Sequence, residues 1–120
     1  MEVSKINEKI SEQYTELCKV NSQFPFLFKP MSFEKFNGLI KNMEPLWEQM
    51  VTLKQDAGGI YMRFFFNNGE VADAINNKYS DYEWEILAPA IRNDDSIKAH
   101  LSDTDVLKYL IDIKQGIPIY

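Results

Sequence analysis

Few residues in this chain of 120 could carry out chemistry. The sequence has one cysteine, Cys18, and one histidine, His100. A nucleophilic site needs a serine or cysteine with a base within hydrogen-bond reach, and no nucleophile motif surrounds either residue. Cys18 lies beside the apolar stripe of a predicted helix and is expected to fill the core, whereas His100 is expected in a solvated loop. The sequence therefore predicts no catalytic residue and no enzyme activity.

The sequence provides equally little for a metal or a cofactor. Four residues have side chains suited to a carboxylate metal site: Asp94, Asp95, His100 and Asp103. Their spacing matches no oxygen-cage loop, and the glycine that such loops need at the bend is missing. A single cysteine excludes a multi-cysteine metal cage and an internal disulfide, and the Gly-Gly pair at 58–59 has the composition of a turn. No metal and no cofactor are predicted.

Acidic side chains are the most distinctive chemical feature. The net charge is −5, and residues 70–105 hold nine acidic side chains against three basic ones. Such a field attracts basic surfaces and repels nucleic acid and anionic membranes. Acidic surfaces also serve solubility in ordinary proteins, and that interpretation stays open. Five carboxylates are the predicted partner-binding residues: Asp81, Glu83, Glu85, Asp94 and Asp95.

The first three of these carboxylates belong to a predicted strand over residues 81–87. They alternate with Tyr82, Trp84 and Ile86, so the aromatic side chains are expected in the core and the carboxylates in solvent. Side chains on one face of a strand repeat at about 6.6 Å. That distance is close to two phosphate steps of about 3.4 Å along one nucleic-acid strand. Carboxylates held in this way can occupy a cationic groove.

The remaining carboxylates divide into two that are expected to stabilise the start of a helix and two that have no expected structural role. Asp103 and Asp105 lie in the first turn of a predicted helix, where acidic side chains stabilise the helix N-terminus. We assign them to capping first and to binding second. Asp94 and Asp95 have no such task and are better candidates for contact with a partner.

Two helices are predicted in the first third of the chain. Residues 3–20 place apolar side chains every three or four positions, and Ser32 is a predicted N-cap for the second helix. The second helix has a predicted apolar stripe of Phe33, Phe36, Ile40 and Met43. Between the helices, the prolines of "FPFLFKP" at 24–30 disfavour helix. This segment is predicted to be an extended connector that tucks its phenylalanines under the helices; exposed, it would be a docking patch instead.

An antiparallel meander of three to four strands is predicted to follow. Residues 48–54 are interpreted as a strand because Gln49, Val51 and Leu53 alternate with polar neighbours, although a third helix beginning at Pro45 is the alternative. The next strand, "IYMRFFF" at 60–66, is predicted to be central, with one apolar face and one mixed face.

Turn residues divide the meander, and a helix ends it. "QDAGG" and "NNG" have turn composition, and the strand after "NNG" is predicted to make apolar contacts through Val71 and Ile75. Ser102 is the predicted N-cap of a C-terminal helix that stops at Gly116 and Pro118. The prediction is one α+β domain over residues 1–120, with two N-terminal helices, the meander and a C-terminal helix.

The order of elements across residues 36–69 resembles the start of small immunity proteins that bacteria make against their own polymorphic or contact-dependent growth-inhibition toxins. Some of these have the pattern I-x-N-M-x-P-x-x-W before a β-meander. Here the matching residues, one position tighter in part, are Ile40, Asn42, Met43, Pro45 and Trp47. The resemblance implies a cytoplasmic, non-enzymatic protein that binds one cognate toxin and blocks its active site. Inhibitors of nucleic-acid-directed toxins are often acidic, which agrees with the charge pattern.

The expected partner is therefore a basic toxin domain, with no binding to nucleic acid or to membranes. No apolar run is long enough to span a bilayer and the N-terminus is too polar for a secretory signal, so cytoplasmic residence is predicted. Two other functions stay open. One is a phage-type inhibitor or adaptor that binds a basic surface of a nucleic-acid enzyme, and the other is a non-catalytic enzyme subunit. The sequence does not determine the oligomeric state.

Overall fold

The computed structural model describes residues 3–120, with side chains described from Lys5 onward. Within this range the chain forms three α-helices and a five-stranded antiparallel sheet in the order β1-β2-β3-β4-β5. The helices are α1 (Val3–Gln23), α2 (Phe33–Asn42) and α3 (Asp103–Lys114). The strands are β1 (Met50–Asp56), β2 (Gly59–Phe65), β3 (Val71–Asn76), β4 (Trp84–Leu87) and β5 (Ile97–Leu101). The predicted α+β class is confirmed, with one strand more than the predicted three to four.

Strand β2 carries the apolar core of the sheet, as predicted. The side chains of Ile60, Met62, Phe64 and Phe66 are all buried, while Tyr61, Arg63 and Phe65 point to the opposite face. Strand β2 pairs with β1 on one side and β3 on the other, so it is an interior strand. Helices α1 and α3 pack on the buried face of the sheet.

The two predicted hairpin turns are present. Strands β1 and β2 are joined through Ala57 and Gly58, both with positive φ, which suits the right-handed twist of the flanking strands. At the second turn the amide of Phe66 donates to the carbonyl of Glu70, and Gly69 has a φ of 85°.

The first and third strands differ from the prediction in which side chains face the core. Residues Glu44–Gln49 form a 3₁₀ helix with Pro45 in its first turn, so the strand begins only at Met50 and each of the two interpretations of this segment was partly right. A register shift between Met50 and Thr52 then turns Val51 outward. In β3 the core-facing side chains are Ala72, Ala74 and Asn76, whereas Val71 and Ile75 lie on the outer face.

The connector between α1 and α2 also differs from the prediction. Helix α1 continues to Gln23, and a turn follows in which the Leu27 amide donates to the Phe24 carbonyl. The side chains of Phe24 and Phe26 are 46% and 80% exposed, so this part of the connector is not tucked under the helices, whereas Phe28 is half-buried against the core, as predicted. Cys18 is likewise exposed, because it lies one position past the buried Leu17 on the helix, and the prediction that it fills the core is wrong.

One further residue, Phe33, falls outside its predicted stripe. Phe33 begins α2 and is exposed, with its ring edge-on to Tyr14 at a centroid distance of 5.2 Å. The predicted apolar position at Val3 lies outside the described side chains.

The fourth strand is shorter than predicted, and a fifth strand was missed. A 3₁₀ helix at Lys78–Ser80 is followed by Asp81 and Tyr82 with positive φ, so extended backbone begins only near Trp84. Strand β5 returns beside β4 and includes the exposed His100. The C-terminal helix is confirmed, since Ser102 Oγ accepts a hydrogen bond from the amide of Asp105 at 3.1 Å.

Candidate partner-binding pocket

A pocket of about 620 Å³ opens where α2, the end of β3, the start of β4, the end of β5 and the start of α3 meet. Five elements supply its walls, so it exists only in the folded chain. The polar and charged side chains that line it are Lys35, Asn76, Tyr82, Glu83, His100, Ser102, Asp103 and Asp105. Trp84 and two leucines, Leu39 and Leu101, form its apolar part.

The position of α3 against the sheet is fixed by hydrogen bonds to Asp103. Trp84 is 1% exposed, and its indole Nε1 donates to Asp103 Oδ1 at 2.7 Å. The side-chain amide of Asn42 donates to the backbone carbonyl of Asp103 at 3.0 Å, which joins the end of α2 to the start of α3. A charge-assisted hydrogen bond to a buried indole is strong for its type, so this wall of the pocket is held firmly.

Asn76 brings a buried acceptor to the pocket. It is 2% exposed, and its Oδ1 accepts no hydrogen bond from any residue that the structure describes. Buried polar atoms in proteins nearly always have a partner, and one that lacks it calls for a functional explanation. Asn76 occupies a core-facing position at the end of β3, opposite Ile60, and it lines the pocket. A donor on a ligand in the pocket reaches this oxygen only when the Asn76 side chain moves, because the oxygen has almost no solvent-accessible area.

The charges of the pocket are mostly negative. Its carboxylates are those of Glu83, Asp103 and Asp105, and the one permanently cationic side chain among its lining residues is Lys35. The ammonium of Lys35 lies 5.2 Å from the centre of the Tyr82 ring, a cation–π contact. His100 Nδ1 lies 3.7 Å from Glu83 Oε1, and the two form an ion pair only when the imidazole is protonated.

Unusual backbone conformations surround the same pocket. Tyr82 and His100 both line it and have φ values of 58° and 57°. Non-glycine residues with positive φ are uncommon, and bulky ones are rarer still. Such conformations cost free energy and concentrate at binding sites and active sites.

The five predicted partner-binding residues do not form one surface. Glu83 lines the pocket, and Asp81 is exposed two residues earlier. Glu85 is half-buried on the outer face of the sheet, opposite Ile75. Asp94 and Asp95 are exposed between β4 and β5, at the far end of that hairpin and about 10 Å or more away along the strands. The predicted row of three carboxylates on one strand is wrong, because positive φ at Asp81 precedes the strand.

Sequence reasoning missed Asn76 altogether and placed His100 in a loop. A signal for Asn76 was present, since it continues the inward alternation of Ala72 and Ala74, and an amide at a core-facing position is unusual. The sequence indicates Asp103 and Asp105 as capping residues first and as binding residues second. Their nearness to Glu83 and Asn76 depends on the packing of α3, which no local pattern encodes.

Two other features, a metal-binding cluster and a membrane-spanning helix, are absent from the described part of the chain. Between residues 3 and 120, as far as these are described, no group of three or more histidine, cysteine or acidic side chains is placed to hold a metal ion. No helix in the described part of the chain combines the length and apolar character needed to cross a membrane. Comparisons with protein families, with curated proteins and with solved structures find no match to this chain.

Proposed function

We propose that this protein is an inhibitor of the immunity type, which binds a cognate toxin through a basic surface of that toxin and blocks its active site. The pocket is the centre of the contact and receives an arginine or lysine side chain. The observation that carries the proposal is that the pocket offers acceptors in excess of donors. The carboxylates of Glu83 and Asp105 line the pocket together with Asn76, whose side-chain oxygen is buried and has no hydrogen-bond partner among the described residues.

An arginine side chain fits this arrangement in charge and in hydrogen bonding. Guanidinium has five N–H donors in a rigid fork and no acceptor, so it can serve a carboxylate and a neutral amide oxygen together. The pocket volume of about 620 Å³ lies within the range of about 300–1,000 Å³ that is typical of ligand sites. Arginine side chains in desolvated pockets are frequent hot spots of protein interfaces.

Two further considerations support a toxin as the partner. Toxins that act on nucleic acid carry basic active sites, and carboxylates can compete there with phosphates. The segment that resembles immunity proteins, residues 36–69, forms most of α2, β1 and β2, and α2 supplies Gly38 and Leu39 to the pocket. In this proposal Asp81 extends the contact surface, whereas Asp94 and Asp95 attract the partner from a distance.

The proposal requires that a basic toxin domain is encoded beside this gene, and the test uses that domain and a pair of matched variants. The pocket variant is Glu83→Lys with Asp105→Lys, and the control is Asp94→Lys with Asp95→Lys, which changes the net charge equally. Association and dissociation rates are measured by surface plasmon resonance across a salt series. The pocket variant should lose roughly 100-fold in affinity, mostly through faster dissociation, because it removes direct contacts.

The control variant should slow association at low salt and leave dissociation nearly unchanged, since distant charges act by steering. Equal effects of the two variants on dissociation would show that the pocket is not the contact. Failure of the wild-type protein to bind or neutralise the neighbouring toxin domain would overturn the assignment to the immunity type.

A second measurement examines the pocket without any partner. Blocked arginine, Nα-acetyl-arginine methylamide, is titrated into ¹⁵N-labelled protein, and the same titration uses the citrulline analogue, which has nearly the same shape without the charge. We expect arginine to shift the side-chain amide signals of Asn76 and the indole signal of Trp84, and citrulline to shift them much less. Equal shifts with both compounds would exclude recognition of a cation in this pocket.

A further inference from the structure

The outer face of the sheet is a second surface, separate from the pocket. Its side chains come from β1 to β4, and we call it the open face because all of them are half-buried or exposed. Phe65 is 55% and Leu87 39% exposed, whereas the side chains on the opposite face of the same strands are buried. The open face therefore carries apolar area that none of the described helices covers.

The strand register arranges the open face in rows that run across the sheet. The first row is Lys54, Tyr61, Ile75 and Glu85, one residue from each of β1 to β4. The second row is Thr52, Arg63, Asp73 and Leu87. Phe65 and Val71 form a third, shorter row on the two middle strands.

Charge changes sign across these rows in a regular manner. In the first row a cation, Lys54, lies at the β1 side and an anion, Glu85, at the β4 side, with Tyr61 and Ile75 between them. In the second row Arg63 on β2 forms two hydrogen bonds with Asp73 on β3, at 2.7 and 3.0 Å. Cations thus belong to β1 and β2, and anions to β3 and β4.

We propose that a second copy of this chain packs face to face on the open face, about a two-fold axis that runs parallel to the strands between β2 and β3. Rotation about this axis exchanges β1 with β4 and β2 with β3. Lys54 then faces Glu85 of the partner subunit, and Arg63 faces Asp73 of the partner subunit. Tyr61 meets Ile75 of the partner subunit, so apolar side chains also meet.

The alternative two-fold axis, perpendicular to the strands, gives a poor match. It would exchange the first row with the second within each strand. Ile75 would then face Asp73 of the partner subunit, and Glu85 would face Leu87 of the partner subunit. An unpaired carboxylate against an apolar side chain loses hydration without compensation, so charge complementarity selects the axis parallel to the strands.

The geometry of sheet packing permits these contacts. Two sheets stack about 10 Å apart, with their strands rotated by about 30°. The long side chains of Lys54 and Glu85 can together span that separation. The pocket lies on the helix side of the sheet, lined by α2 and the core-facing residues Asn76 and Trp84, so it stays open in the dimer. The inference does not depend on the proposed function.

The experiment is sedimentation velocity of the full chain over a concentration series that reaches the millimolar range, with charge variants of the first row. Lys54→Glu places two carboxylates together at both symmetry-related contacts, and Glu85→Lys places two ammonium groups together. Each single variant should raise the dimer dissociation constant roughly ten-fold or more. The double variant, Lys54→Glu with Glu85→Lys, should return it to near the wild-type value.

An equimolar mixture of the two single variants gives a sharper result. Each variant alone is expected to dimerise roughly ten-fold or more weakly than the wild type, yet a mixed dimer would pair opposite charges at both contacts, so the mixture should associate as the wild type does. Circular dichroism shows that each variant is folded, and the pocket variant Glu83→Lys with Asp105→Lys should leave the dimer unaffected. A wild-type protein that stays monomeric at millimolar concentration, or a dimer insensitive to both single variants, would overturn the inference.

Discussion

The indole of Trp84 and the carboxylate of Asp103 form a hydrogen bond of 2.7 Å between Nε1 and Oδ1. Trp84 is buried at the start of β4, and Asp103 is the first residue of α3, so this bond joins the sheet to the C-terminal helix. Asp103 also lies where an acidic side chain favours the helix N-terminus. One carboxylate therefore stabilises the helix, satisfies a buried donor and lines the pocket.

The first prediction concerns this hydrogen bond. Asp103→Ala leaves the buried indole N–H without its acceptor and should lower the free energy of unfolding by about 1–3 kcal/mol. Trp84→Phe removes the donor and serves as the second arm of a double-mutant cycle. Urea denaturation of the wild type and the three variants should give a coupling energy of about 1 kcal/mol or more. A coupling energy near zero would mean that the bond contributes little to stability.

The second prediction concerns Gly59, which packs against the backbone of Asn76. A Cβ added to Gly59 would lie 2.0 Å from the backbone oxygen of Asn76, so Gly59→Ala must push β2 and β3 apart. We expect a loss of about 3 kcal/mol or more in the free energy of unfolding, the upper end of the cost of overpacking. Gly38→Ala is the control, because no atom lies within 4 Å of its added Cβ. Since Gly38 is inside α2, its replacement should stabilise by about 0.5–1 kcal/mol.

The free energy of unfolding of both glycine variants is measured by thermal or urea denaturation. A mild effect of Gly59→Ala would show that the two strands can separate locally, and the position of Asn76 in the pocket would then be adjustable. In that case the arginine titration should be repeated on the variant, since a displaced Asn76 weakens the response there.

The regular parts of the fold were predictable because they rest on local repetition. The alternation of Ile60, Met62 and Phe64 defines both the strand and its buried face. In β1 and β3 the buried side chains could not be predicted in the same way. The bulge before Thr52 turned Val51 outward. In β3 the small side chains of Ala72 and Ala74 face the core under the helices, so the larger apolar side chains of Val71 and Ile75 indicated the wrong face of the strand.

The missed strand and the pocket have a related explanation. Strand β5 has the sequence "IKAHL", in which lysine, alanine and histidine have little strand preference. Its extended conformation is stabilised by pairing with β4, which a local pattern does not show. The pocket combines residues from α2, β3, β4, β5 and the start of α3. Charge patterning indicated an acidic region of the chain, but only tertiary packing determines that Glu83 and Asp105 line the same pocket while Asp95 lies elsewhere.

The third prediction tests the exposed connector. Phe26→Ser should change the free energy of unfolding by less than about 0.5 kcal/mol, because its ring is 80% exposed. Phe36→Ala is the matched comparison, since Phe36 is buried in the core and should cost about 3–5 kcal/mol. Chemical denaturation measures both. A loss above about 1 kcal/mol for Phe26→Ser would indicate that the connector packs on the domain in solution.

The last prediction is a dependence of stability on pH that arises on the open face. Burial alone raises the pKa of Asp73, but hydrogen bonds from Arg63 and Tyr61 and the charge of Arg63 outweigh it, so the pKa lies below the ordinary value of 3.8. The folded protein therefore binds a proton at Asp73 less readily than the unfolded chain does. This contribution to stability is complete above the unfolded pKa and is lost as the pH falls through the lower, folded pKa.

Asp73→Asn should accordingly destabilise the protein at neutral pH and should flatten the loss of stability between about pH 5 and pH 2. Arg63→Gln removes the main partner of the carboxylate, so it should flatten the same part of the curve, and the two substitutions together should do no more than either alone. Urea denaturation across this pH range is the measurement, at protein concentrations low enough to keep the chain monomeric. Parallel pH curves for wild type and Asp73→Asn would show that the lowered pKa of Asp73 does not contribute to folding.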